Sequence, residues 1–183
     1  MDARTLINLT RDVDALLVPE GDKVVLPKGQ LVRLLQELGD SFTVMNPTGA
    51  RFRVEGKDAE ALGREVPKPQ AVVAVDDRTP EGVEKGIWAQ LKRIYDPEIP
   101  FNIVDVGLIY QVKLENLTER TYKVKVKMTL TAPGCGIGDV LVSDVYSKVG
   151  QVPGVKEVDV ELTFDPPWDI SKLAPAVRMQ LNL

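Results

Sequence analysis

From Tyr122 to Thr131 the chain alternates almost without error. Tyr122, Val124, Val126, Met128 and Leu130 fall on one face, and Lys123, Lys125, Lys127 and Thr129 on the other. A strand reverses its side chains at every residue, so this pattern describes a sheet with one dry face and one wet face. Antiparallel pairing is the usual setting for such a sheet. The lysines read as a solvated sheet face rather than as a binding patch. The dry face must be covered, and the flanking sequence supplies the covers.

Thr79 can cap a helix with Pro80 at its first position and Glu81 near its positive end. Val83, Ile87, Leu91 and Ile94 then form an apolar stripe at helical spacing, weakened by Gly82 and Gly86. This helix is expected to stop near Tyr95-Asp96-Pro97, since the residue before proline is driven out of the helical region. Ile137, Leu141, Val145 and Val149 define a second stripe, ended by Gly150. A last helix is expected to open at Asp169 or Ser171, with Leu173, Val177 and Leu181 inward and Pro175 in its first turn. Between them, Ile103 to Leu114 reads as a strand bent at Gly107, with a hairpin turn at Asn116 to Glu119. Val158, Val160, Leu162 and Phe164 read as a third strand, which Asp165-Pro166-Pro167-Trp168 cannot continue.

The expected order is helix, strand, strand, helix, strand, helix: an α+β domain over 79–183 whose helices pack on a small mixed sheet. Residues 1–63 read differently. Val24-Val25-Leu26, Leu31 to Leu38, Phe42 to Met45 and Phe52 with Val54 are short runs between turn residues. They suggest a small all-β module, a barrel or meander, with no chemical motif. Leu31 to Leu38 could be helical by its leucines, but the turn at Leu38-Gly39-Asp40-Ser41 favours a strand. Residues 64–78, with Pro67 and Pro69, read as a linker, with a short strand at Ala71 to Val75.

The chemistry concentrates in Thr131-Ala132-Pro133-Gly134-Cys135-Gly136-Ile137-Gly138, between a strand and a helix. Cys135 is the only cysteine among 183 residues. A thiol near a helix N-terminus meets unpaired N–H groups and the positive dipole end, which lower its pKa and favour the thiolate. The same residue could instead be a small buried filler of a tight turn. The chain has no histidine, which removes Cys-His and Ser-His nucleophile pairs and leaves any metal site without imidazole. One cysteine cannot supply a usual four-ligand zinc set. Asp96-Pro97-Glu98-Ile99-Pro100 is a rigid turn whose acids are expected to be solvated or capping. Asp105, inside an apolar run, must face solvent or find a partner.

The net charge is −4 and no basic patch stands out, which argues against nucleic acid as a partner. No segment approaches the roughly 18 apolar residues of a membrane span. A single cysteine and no secretion-like leader suggest a reducing, cytoplasmic setting.

Five segments, in order and with fitting gaps, carry a resemblance: Asp96 to Pro100, Asn102 to Tyr110, Met128 to Gly136, Val152 to Val155 and Asp165 to Trp168. Together they resemble the SufT family of iron–sulfur cluster assembly factors, over roughly residues 80–183. That broad family also includes the PaaD component of phenylacetate breakdown and a eukaryotic cytosolic iron–sulfur targeting factor. Val25 to Gly29 and Glu55 to Ala59 are similar to the extension of longer SufT-type proteins. Gly136-Ile137-Gly138 stands where other members often carry a proline-containing segment.

The resemblance implies an accessory factor in maturing iron–sulfur proteins, with no reaction of its own. It implies Cys135 as the metal- or sulfur-binding thiol, with Asp105, Thr131 and Glu98 as polar positions near it. Cluster irons commonly take four thiolates, so one Cys135 per chain cannot close a site. A labile iron–sulfur cluster would be shared between two chains of a homodimer, or with a small thiol or a partner. The implied partners are apo iron–sulfur clients and assembly machinery. Three alternatives stand beside this one: a metal-free adaptor for client maturation, a PaaD-like component of an oxygenase system, and a cysteine enzyme using Asp105 or Glu98 as acid or base.

Overall fold

The computed structural model describes residues 6–67, 78–97, 99–134 and 136–182. The expected short strand at 71–75 and most of the expected linker lie outside the described residues. The class is α+β, with a large antiparallel sheet and a small mixed sheet carrying helices. The chain forms two compact units, Met1–Pro69 with Pro97–Pro100, and Gln70–Asp96 with Phe101–Leu183.

The first unit holds β1 (Leu6–Asn8), β2 (Val13–Val18), β3 (Lys23–Leu26), β4 (Leu31–Leu38), β5 (Ser41–Met45) and β6 (Arg51–Glu55). They pair antiparallel in the order β1-β4-β5-β6-β2-β3, so only β4 to β6 form a meander. The leucine-rich Leu31–Leu38 is a strand because Gly39, at φ +61°, reverses the chain straight into β5. Val13, Val32, Phe42, Val44 and Val54 fill the core, and a 3-10 helix at Gly56–Leu62 packs Ala59, Ala61 and Leu62 onto it.

In the second unit, α1 (Pro80–Leu91) starts where Thr79 Oγ1 accepts the Gly82 N–H at 3.2 Å. It ends at Leu91, one turn before the expected stop, because Tyr95 leaves to bridge Asn102. β7 (Ile109–Thr118) and β8 (Thr121–Met128) form an antiparallel hairpin. The hairpin turn is tighter than expected. Strand pairing runs on to Thr118, where its hydroxyl meets that of Thr121 at 2.6 Å. α2 (Gly138–Gly150) carries the chain over to β9 (Val155–Leu162), which lies parallel to β8. The sheet is therefore mixed, ordered β7-β8-β9.

Tyr122, Val124, Val126 and Met128 are buried, and so are Ile137, Leu141, Val145 and Val149 of the α2 stripe. The dry face and its cover are those the periodicity predicts. Thr129 departs from the alternation. It is fully buried because β8 has ended, and its N–H turns to Leu108 O at 2.8 Å. On the wet face Lys125 meets Glu115 at 3.0 Å, Lys113 meets Glu115 at 3.3 Å and Lys127 meets Glu161 at 3.1 Å. Beyond β9 come a 3-10 turn at Ile170–Lys172 and a short α3 (Pro175–Gln180) with Pro175 in its first turn. Leu173 and Val177 are buried, but Leu181 is 45% exposed. The helix is too short to carry Leu181 round to the core.

Candidate functional site

Three segments converge at one end of the small sheet. β8 runs toward that end, β9 runs parallel to it, and β7 starts from it. The segment before β7, the segment after β8 and the strap after β9 therefore emerge side by side. Backbone bonds tie them: Thr129 N–H to Leu108 O at 2.8 Å, and Thr163 N–H to Met128 O at 2.9 Å.

The segment before β7 was expected to be strand from Ile103. It is instead a compact loop up to Leu108, and Asn102 is the reason. Its side-chain oxygen accepts the N–H groups of Val104 (3.1 Å) and Asp105 (2.9 Å). An asparagine that captures the N–H two residues on folds the backbone into a turn instead of a ladder. Gly107, at φ +79°, completes the reversal. Asp105 does find the partner its setting requires: Asn102 Nδ2 donates to its Oδ2 at 2.7 Å. The carboxylate is half-buried, with one oxygen engaged. Asn102 was missed as a site organiser, although its spacing before Asp105 is the signal of such a turn.

The strap over this loop is fastened at several points. Trp168 Nε1 donates to Val106 O at 2.9 Å, Tyr110 Oη donates to Pro166 O at 2.8 Å, and Ala174 N–H donates to Asp105 O at 2.8 Å. Lys172 Nζ stands 4.6 Å from the Tyr110 ring centre. Asp169 turns the strap by accepting the Ser171 N–H at 2.8 Å, and its bonds to the side chain and backbone of Ser171 hold its carboxyl below the usual value. A Cβ on Gly107 would lie 2.3 Å from Lys172 O, so strap and loop touch backbone to backbone.

The segment after β8 is the cysteine loop. Thr131 to Gly134 and Gly136 are exposed, whereas Leu130 and Ile137 on either side are buried. Gly134 takes φ +80° with open space about it. α2 begins at Gly138 with Ile137 as its N-cap residue, and no described side chain caps it. Its first-turn N–H groups therefore face the end of this loop with the positive end of the dipole. Gly138 packs closely there: a Cβ would lie 2.6 Å from Leu130 Cδ1, the tip of a side chain that would have to shift to admit it.

Cys135 and Glu98 lie outside the described residues. Of the other two expected site residues, Thr131 is exposed on the cysteine loop and Asp105 is held on the neighbouring loop. Among the described residues no group of three or more histidine, cysteine or carboxylate side chains could hold a metal ion. No helix of the described residues is long and apolar enough to cross a membrane.

Comparison with known proteins places this arrangement. Residues 84–162, from α1 to the end of β9, match the family described as iron–sulfur cluster assembly protein. A Porphyromonas gingivalis protein named Fe-S protein maturation auxiliary factor is 42% identical over 99 residues, covering 54% of this chain and 90% of its own. The Fe-S protein maturation auxiliary factor SufT of Staphylococcus aureus is 28% identical over 90 residues, 49% of this chain and 98% of its own. A crystal structure of a domain of unknown function from Bacillus anthracis superposes with a TM-score of 0.50 at 31% identity, covering 56% of this chain and 94% of that one. The resemblance carried by the five motifs is thus one of descent, and the chain belongs to the iron–sulfur cluster assembly protein family.

Proposed function

We propose that this protein is an accessory factor in iron–sulfur cluster assembly, and that it handles a cluster, or its iron or sulfur, through Cys135 for delivery to client apoproteins. The observation that carries the reading is the family match, which spans both the Asp105 loop and the cysteine loop. The exposed flanks of position 135 and the uncapped start of α2 support it, since an anionic thiolate is favoured in such surroundings. Asp105, Thr131 and Glu98 are proposed as polar neighbours of the cargo.

The cluster is cargo, not a resident cofactor. One thiolate cannot complete the usual four, so the remaining ligands come from a second chain, a small thiol, or a client or assembly partner. The protein runs no reaction of its own on this reading, and works in the reducing cytoplasm, where a lone thiol stays reduced. We assign residues 79–183 to the assembly domain, 64–78 to a linker and 1–63 to a β module that docks partners.

Anaerobic reconstitution with iron and sulfide tests this on wild type and Cys135→Ala. The expected result is a charge-transfer absorption and bound iron and sulfide in the wild type, both lost in the variant. Equal iron and sulfide in the two proteins would remove Cys135 from the role. If clients still mature fully with the variant, the metal-free adaptor reading replaces this one.

A further inference from the structure

The outer edge of β9 has the chemistry of a receptor for another strand. β9 is the last strand of its sheet, and its pairing with β8 is regular from Glu157 to Leu162. It contains no proline and, in that stretch, no bulge, so of the usual devices that blunt an edge it carries only charged side chains. The other edge strand, β7, is interrupted at both ends by register shifts.

The direction of the free backbone groups follows from one bond. Thr163 N–H points inward to Met128 O. Strand groups alternate, so the N–H and C=O of Leu162, Val160 and Val158 point away from β8. Among the described residues these outward groups have no backbone partner.

The side chains state what could lie beside them. Glu157, Asp159 and Glu161 project on the wet face, and Val158, Val160 and Leu162 on the other. Leu162 and Phe164 are each 37% exposed where the edge ends. The strand already seated on the inner edge shows the complement that β9 accepts. It places Lys123, Lys125 and Lys127 opposite Glu157, Asp159 and Glu161, with valines between. Lys123 reaches Glu157 at 3.7 Å and Lys127 reaches Glu161 at 3.1 Å, but Lys125 turns away to Glu115. No ion pair of Asp159 forms among the described residues. A second copy of this chain is a poor occupant. Antiparallel pairing of two β9 strands with their faces aligned sets acid against acid, and like charges directly opposite destabilise a pair.

We infer that the outer edge of β9 docks an extended segment of a partner protein, in which basic residues alternate with small apolar ones. The backbone groups of Val158, Val160 and Leu162 supply affinity, and the three acids select the sign of charge. The acids that repel a second copy admit a strand of opposite charge. This inference stands apart from Cys135 and from any cluster.

The test uses the full chain and a capped six-residue peptide of alternating lysine and valine. Binding is followed by titration calorimetry and by amide shifts in the protein's nuclear magnetic resonance spectrum. Two isomers of the peptide, one N-methylated on its lysines and one on its valines, keep the charge but block opposite backbone edges. The expected result is binding with shifts at the Val158, Val160 and Leu162 amides. One isomer, and only one, should lose about tenfold or more, as expected for two or three missing backbone hydrogen bonds. Which isomer fails reads the strand direction. Asp159→Asn, which removes the charge without setting a second lysine opposite Lys125, should weaken the parent peptide several-fold and leave thermal stability nearly unchanged. Equal behaviour of the two isomers, absence of binding, or dimerisation of the free chain through β9 would each overturn the proposal.

Discussion

Gly107 is where the loop and the strap touch, and replacing it by alanine separates two costs that the structure lets one calculate. The first is conformational. At φ +79° an alanine is disfavoured by about 1–2 kcal/mol. The second is steric. The added Cβ would stand 2.3 Å from Lys172 O and 2.8 Å from Lys172 C, both backbone atoms that no rotamer change can remove. The strap has to move. Its bonds from Trp168 Nε1 to Val106 O and from Ala174 N–H to Asp105 O are then lost, each worth about 0.5–1.5 kcal/mol. The total is about 2–5 kcal/mol. For a unit of roughly 100 residues this lowers Tm by about 8–40 °C. Gly134→Ala is the internal control. It carries the same left-handed backbone, φ +80°, with nothing within 4 Å of a new Cβ, so only the first cost of about 1–2 kcal/mol applies. Urea unfolding followed by tryptophan fluorescence reads the comparison directly, since both tryptophans, Trp88 and Trp168, belong to the second unit. Equal losses in the two variants would refute the account of the strap as a backbone-to-backbone lock.

Asn102→Ala removes three hydrogen bonds, one of them to the Asp105 carboxylate, and should cost about 2–3 kcal/mol in the same urea experiment. It should also free the Asp105 amide to exchange with solvent hydrogen. The Glu115 carboxyl is held below its ordinary value first by the hydrogen bond from Lys125, then by that from Lys113. A depressed acid stabilises the fold above its unfolded pKa and loses that contribution as pH falls through its folded pKa. The part of the acid sensitivity that depends on Glu115 should therefore appear only below about pH 4.3 and be absent in Glu115→Gln. Because the carboxylate is partly open to solvent, added salt should shrink the difference.

The parts of the fold that periodicity can see were legible in advance. The alternation at Tyr122 to Met128 and the four-residue step from Ile137 to Val149 each report a single buried face, and burial follows them residue by residue. The loop at 102–108 was not legible as such. Its apolar residues, Ile103, Val106 and Leu108, are buried as a strand's would be, but the Asn102 side chain takes the N–H groups that a ladder needs. Apolar content reports burial and is silent on where backbone hydrogen bonds go. Leu181 failed for the opposite reason, since its spacing fits a helix that ends before reaching it. Of the candidate site, Asp105 and its need for a partner could be read from the chain. The convergence of three segments could not, because it arises from the parallel placement of β9 beside β8.

That same placement divides the small sheet into two poles with different tolerances. At the pole away from the cysteine loop, the β7–β8 turn at Glu119 and Arg120 lies beside the Pro153-Gly154 turn, where Tyr122 N–H meets Gly154 O at 2.9 Å. A dye, an affinity tag or a tether grafted at Arg120 would sit a full strand length from Thr131 and Asp105. This far pole is the place from which the protein can be held or watched while its working end is left alone.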